Sequence, residues 1–187
     1  MQIIKKALPQ NYFEEIIKIV ENPNFNFFLS YDSNNDYTET VINDSKHIKT
    51  PQLVHILINN YKANSNYANL FEKILLYIKE KYSIKGKIFK SKINLLLNNS
   101  NCQTKNIFNT PHVDYDTNHT STILFLNKSD GDTFVFNETF PSSNNNLTIK
   151  KKINPEPNKL IILKNNFHAS SNPINSSTRF VLNTVFI

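Results

Sequence analysis

His112-Val113-Asp114 is the stretch of the chain richest in potential chemistry. In an extended strand, residues i and i+2 point to the same side, so this imidazole and this carboxylate converge without special backbone geometry. Alone the pattern is weak, because a surface histidine beside a solvated aspartate reads the same way. His168 strengthens it. Several short strands separate it from Asp114, and a two-sheet roll can bring such strands side by side. Two histidines and one carboxylate on one face leave three octahedral positions open, a set suited to Fe(II). A structural zinc ion would instead fill its shell with four protein ligands. Arg179 completes the group: it is the sole arginine of the chain and opens an otherwise apolar final strand. Its planar fork suits a bidentate grip on a carboxylate, which lysine does less well. The competing reading of Arg179 is a surface salt bridge.

The remaining titratable residues are less informative. His47, His55 and His119 fit no part of this pattern and read as ordinary surface or core residues. Cys102 is the only cysteine, so no internal disulfide can form, and a reducing, cytoplasmic setting is expected. The net charge of +6 and pI near 9.3 would suit a polyanionic partner, but the lysines are scattered. Their one tight run, Lys150-Lys151-Lys152, reads as a solvated strand or loop. Met1 to Leu8 lacks the sustained apolar stretch of a signal peptide, and no run approaches a membrane span.

The elements that must position these residues change texture at Gly86. Before it, apolar residues recur at helical spacing in Tyr12 to Val20 and from about Ser65 to Tyr82. Thr50-Pro51 followed by Leu53, Val54, Ile56 and Leu57 predicts a further helix, with a cap and a proline in its first turn. After Gly86 eight short strands are expected: 87–97, 112–115, 121–127, 133–137, 147–153, 159–163, 167–170 and 179–187. Ser129-Asp130-Gly131-Asp132 carries a hairpin signal, and Asn154-Pro155-Glu156-Pro157-Asn158 a second turn. The expectation is one α+β domain over 1–187, with residues 1–86 mainly helical support and 87–187 a jelly-roll core.

With these residues in place, the sequence resembles the Fe(II)/2-oxoglutarate dioxygenase superfamily, whose pattern is His-x-Asp, a distal His and a basic residue shortly after. The likeness runs over about Lys87 to Ile187 and is nearest the small prolyl-hydroxylase-like members, including those of marine bacteria and their phages. It is carried by Pro111-His112-Val113-Asp114-Tyr115, Thr122 to Asn127, Asp130-Gly131-Asp132-Thr133, Asn158 to Ile162 and Arg179 to Asn183. It implies a double-stranded β-helix, with iron held by His112, Asp114 and His168 and the distal carboxylate of 2-oxoglutarate paired with Arg179. Many members bond the cosubstrate through a tyrosine on a strand flanking His-x-Asp. Here Ile93-Asn94-Leu95-Leu96 and Leu124-Phe125 stand there, leaving Asn94 as the polar candidate for the cosubstrate. Asn183 shares a strand face with Arg179 and is expected to orient it.

The implied activity is dioxygen-dependent hydroxylation coupled to decarboxylation of 2-oxoglutarate. Asp114 argues against halogenation, since halogenases of the superfamily leave that position empty for chloride. A peptidyl substrate, prolyl among the options, fits the nearest resemblance. A nucleic acid is disfavoured, because the demethylase branch has a second arginine where Val185 stands. A small metabolite stays open, as do a cupin-type metalloenzyme and a non-catalytic jelly roll.

Overall fold

The computed structural model describes residues 1–31, 47–48, 50–98, 108–141 and 147–187. In chain order these form β1 (Gln2–Ile4), α1 (Gln10–Val20), β2 (Phe28–Ser30), β3 (His47–Ile48), β4 (Gln52–Asn59), β5 (Lys62–Ala63), α2 (Ala68–Lys81) and β6 (Ile88–Leu97). There follow β7 (Phe108–Asn109), β8 (Thr120–Phe125), β9 (Thr133–Thr139), β10 (Ile149–Ile153), β11 (Lys159–Lys164), β12 (Asn166–Ser170) and β13 (Thr178–Phe186). The main sheet runs β1-β11-β8-β13-β6-β4-β2, with β5 beside β4; the smaller sheet runs β10-β9-β12. All pairings within these two sheets are antiparallel.

Alternation along β8 divides the interior into layers. Leu124 faces outward, into a core with Phe13 and Ile16 of α1, Phe71, Ile74 and Leu75 of α2, and Leu182 of β13. Ile123 and Phe125 face inward, against Val135 and Ile153 of the smaller sheet and Val181 of the main one. A third cluster, built from Phe108, Phe134, Phe136 and Phe167, covers the far side of the smaller sheet. Burying each such side chain stabilises the fold by roughly 1.5–3 kcal/mol, so the period-2 pattern holds the two sheets face to face. The Lys150-Lys151-Lys152 run lies on β10, an edge strand exposed through most of its length. Charge there discourages pairing with another chain.

The two expected helices flanking the 51–57 segment form, but that segment does not. Gln52–Asn59 is β4, a strand inside the main sheet between β6 and β2. Its apolar residues are too few to separate a helix turn from a strand covered on both faces, and Val54, Ile56 and Ile58 favour the strand. Thr50 caps nothing: its hydroxyl bonds Asn109 Oδ1 at 2.6 Å and Asn172 Oδ1 at 3.0 Å. Residues 1–86 therefore supply strands β1, β2, β4 and β5 to the main sheet as well as two helices.

Ser129 to Asp132 is also not a hairpin. It links β8 of the main sheet to β9 of the smaller one, which do not pair. The Asp130 carboxylate is engaged by the loop before β13, accepting from the backbone N–H groups of Ile174, Asn175 and Ser176.

Candidate metal centre and cosubstrate pocket

His112 sits at an isolated antiparallel bridge opposite His168 of β12. Each backbone N–H donates to the other's carbonyl, both at 2.9 Å. Residues paired in this way carry their side chains on one face, and the two imidazole centroids are 4.6 Å apart. The expected strand over 112–115 shrinks to this single bridge, and the chain bends after it. Asp114 still arrives beside His112, its Oδ1 3.9 Å from His112 Nε2 and its Oδ2 3.6 Å from His168 Nε2. One donor atom from each of the three residues fits within 4.8 Å of the others.

The tautomers follow from the partners of the second ring nitrogens. Nδ1 of His112 faces the Thr110 carbonyl and Nδ1 of His168 the Asn166 carbonyl, each at 3.2 Å. A carbonyl only accepts, so each Nδ1 carries a proton and Nε2 is the ring nitrogen left to ligate a metal. Asp114 Oδ1 accepts from the Asn183 amide at 3.1 Å, while the buried Oδ2 has no hydrogen-bond partner. Burial opposes ionisation of Asp114, but the His168 and His112 imidazoles outweigh it and hold its pKa well below the usual carboxylate range. Burial, reinforced by His168, lowers the His112 pKa to about 3. Two imidazole Nε2 atoms and one carboxylate thus converge, an arrangement that a cation satisfies. Three protein donors with open positions beside them fit Fe(II).

Arg179 opens onto the same cavity, whose walls include Asn94, His112, His168 and Asn183. It is buried, with Nε donating to the Gly131 carbonyl at 2.8 Å and Nη2 to Thr133 Oγ1 at 2.7 Å. Its guanidinium lies 5.7 Å from the centroid of the Phe125 ring. Among the described residues no carboxylate forms an ion pair with it. Burial lowers its pKa to about 10, offset in part by Asp132, so it keeps its charge. The Asp132 carboxylate is itself paired with Lys152 at 2.8 Å. A buried guanidinium with spare donors calls for an anion. Asn94 adds a buried Oδ1 with no partner on the same cavity wall.

Asn183 shares the inward face with Arg179, as strand alternation predicts, but its amide holds Asp114 rather than Arg179. Arg179 is oriented by Gly131 and Thr133, which sequence reading missed. Lys92 was missed too. It lies on β6 opposite Asn183 and lines the cavity. Burial and then Lys90 lower its pKa to about 8, against the pull of Asp114. His55 and His119 are buried away from the cavity lining, His55 stacking on Phe25. Cys102 lies outside the described residues, as does the side chain of His47.

No protein-family model matches the sequence, and no curated protein does. Solved structures do match. The chain is similar to a Trichoplax adhaerens prolyl hydroxylase, solved with a peptide fragment of the hypoxia inducible factor oxygen degradation domain. The TM-score is 0.64 at 14% identity, covering 100% of this chain and 82% of that one. It is similar to an oxidoreductase of the 2OG-Fe(II) oxygenase family from Burkholderia pseudomallei, with a TM-score of 0.63, 13% identity and coverage of 98% and 84%. It also resembles the non-heme alpha ketoglutarate dependent epimerase of nogalamycin biosynthesis, with a TM-score of 0.61, 8% identity and coverage of 99% and 77%. The fold is that of the 2-oxoglutarate oxygenases. A double-stranded β-helix with supporting helices, expected from the strand pattern, is thus the observed architecture, as two facing sheets without a closed barrel. This likeness concerns backbone shape, and the same shape serves a peptide-binding hydroxylase and an epimerase.

Proposed function

We propose that the chain is an Fe(II)- and 2-oxoglutarate-dependent oxygenase, a single domain over 1–187, acting as a hydroxylase on a peptidyl substrate with proline among the target residues. His112, Asp114 and His168 hold the iron, and Arg179 and Asn94 hold the cosubstrate. One observation carries this reading: the donor atoms of His112, Asp114 and His168 converge beside a cavity lined by both histidines and by a buried guanidinium that no carboxylate pairs among the described residues. Metal ligands alone would fit many metalloproteins. The guanidinium adds the demand for a carboxylate beside the metal, which 2-oxoglutarate meets.

Iron and 2-oxoglutarate, when bound, supply oxidative decarboxylation coupled to attack on an unactivated C–H bond. The chain's own residues bind and orient. Asn183 fixes the rotation of the Asp114 carboxylate, and the carbonyls of Thr110 and Asn166 fix the two imidazoles. Arg179 takes the distal carboxylate of the cosubstrate with the donors that Gly131 and Thr133 leave free. The peptidyl substrate is supported by fold likeness to a hydroxylase solved with a peptide.

The test is anaerobic titration of the Fe(II)-loaded protein with 2-oxoglutarate, following the weak visible charge-transfer band of a keto acid chelated to iron. The band is expected in wild type and absent in His168→Ala. Bound iron without a band would favour a cupin-type metalloenzyme, and no bound iron a non-catalytic jelly roll.

A further inference from the structure

The iron cavity shares two walls, Gln52 and Lys92, with a larger groove of about 670 Å³. The groove runs over the inner face of the main sheet toward its β2 edge, where Phe28 is 66% exposed. Register places Lys92 opposite Ile56, Val54 opposite both Asn94 and Phe28, and Gln52 opposite Ser30, so these side chains share that face. Lys90 lies two residues before Lys92 and faces the same way.

Both lysines are partly buried, and neither forms an ion pair among the described residues. Among the described residues no aspartate or glutamate lines the groove. Two like charges held close together in a partly dry groove repel each other and forgo some solvation. An anionic ligand relieves both costs. The two Cα atoms are on the order of 7 Å apart, the i to i+2 repeat of an extended chain. A second extended chain carrying acidic side chains at alternate positions matches that repeat. An acidic residue paired with Lys92 would then stand at the mouth of the iron cavity, with its neighbour in sequence at the metal.

We propose that this groove takes an extended acidic peptide segment of the substrate, its alternate carboxylates pairing with Lys90 and Lys92. The proposal rests on the oxygenase reading above and adds the substrate's charge. Lys92 is then a specificity residue for the peptide and no part of the cosubstrate's anchorage.

Two fluorescently labelled heptapeptides test it, each with a central proline, one carrying glutamate at alternate positions and the other glutamine there. Binding is followed by anisotropy to the anaerobic Fe(II)- and 2-oxoglutarate-loaded protein, with the charge-transfer band recorded in the same samples. Wild type is expected to prefer the glutamate peptide about tenfold. Lys92→Gln should lose most of that preference and Lys92→Arg keep it, with the 2-oxoglutarate titration unchanged in both. Equal affinity of the two peptides, binding of neither, or a preference surviving in Lys92→Gln would overturn the proposal. Loss of 2-oxoglutarate affinity in Lys92→Gln, matching its loss of peptide affinity, would overturn it too, by making Lys92 a cosubstrate anchor. An absent band in wild type would instead defeat the oxygenase reading itself, and this proposal with it.

Discussion

The side-chain amide of Asn183 donates to Asp114 Oδ1 at 3.1 Å and leaves Oδ2 facing His168. One oxygen of the carboxylate is thus held by the protein, and the other is left facing His168, where the proposed metal would sit. Asn183→Leu should leave the fold intact and weaken iron binding by roughly 10- to 100-fold, the usual effect of removing a partner that orients a ligand. Metal titration checks this, with thermal unfolding of the apoprotein as the control. Unchanged affinity would mean that Asp114 does not depend on this bond.

Arg179→Gln removes the buried charge while keeping some hydrogen-bonding capacity near the Gly131 carbonyl and Thr133. Losing a buried charge partner costs about 2–5 kcal/mol of binding free energy, so 2-oxoglutarate affinity should fall by at least about 30-fold. Iron affinity should hardly move. Parallel titrations of iron and of cosubstrate separate the two effects, and equal losses in both would count against the assigned role.

Gly131 is a backbone constraint on the same pocket. A Cβ there would lie 2.7 Å from the Ser171 carbonyl oxygen, 2.9 Å from Arg179 Cδ and 3.0 Å from the Pro173 nitrogen. Two of these neighbours are backbone atoms with little room to give. Gly131→Ala should cost about 1–3 kcal/mol of stability, typical of overpacking, and should weaken 2-oxoglutarate binding by displacing Arg179. Denaturant melts and the cosubstrate titration measure the two consequences on one variant.

Asp130 gives the loop before β13 an acid-labile hold. Burial opposes its charge, but the N–H groups of Asn175 and Ser176, with further bonds from the Ser176 hydroxyl and the Ile174 N–H, lower its pKa to about 2. A carboxylate whose pKa is lower in the folded state stabilises the fold fully above its unfolded value of 3.8, and loses that contribution as pH falls toward 2. Asp130→Asn should therefore show a shallower loss of stability between about pH 4 and pH 2 than wild type. Denaturation midpoints measured across that window decide it, and parallel curves would remove Asp130 from the account.

Much of the site was legible because its chemistry lies in residue types at short spacing. His112 and Asp114 sit two residues apart, and a sole arginine opens the last strand. The strands after Gly86 were legible as short apolar runs bounded by turn residues, several of them buried on both faces. What could not be read is long-range pairing. Gln52–Asn59 resembles a helix turn until β2 and β6 cover its flanks, and a hairpin signal at Ser129 to Asp132 does not reveal that its two strands belong to different sheets. The partner of Asn183 was missed for the same reason: alternation gives the face on which a side chain lies, but its neighbour on that face depends on where a distant loop descends.

The reciprocal backbone bonds between His112 and His168 bear on how metal and folding are linked. Each histidine's amide hydrogen is tied to the other's carbonyl, a pairing in which no metal takes part. The spacing of the two imidazoles is set by strand pairing, as a hinge pin sets the gap between two leaves. In zinc fingers, by contrast, the ion must gather its own ligands, so chelation unfolds them. Here chelation should leave a folded apoprotein with those two amides still protected from exchange. The ion should add to stability only by mass action, in proportion to the logarithm of its concentration over its dissociation constant.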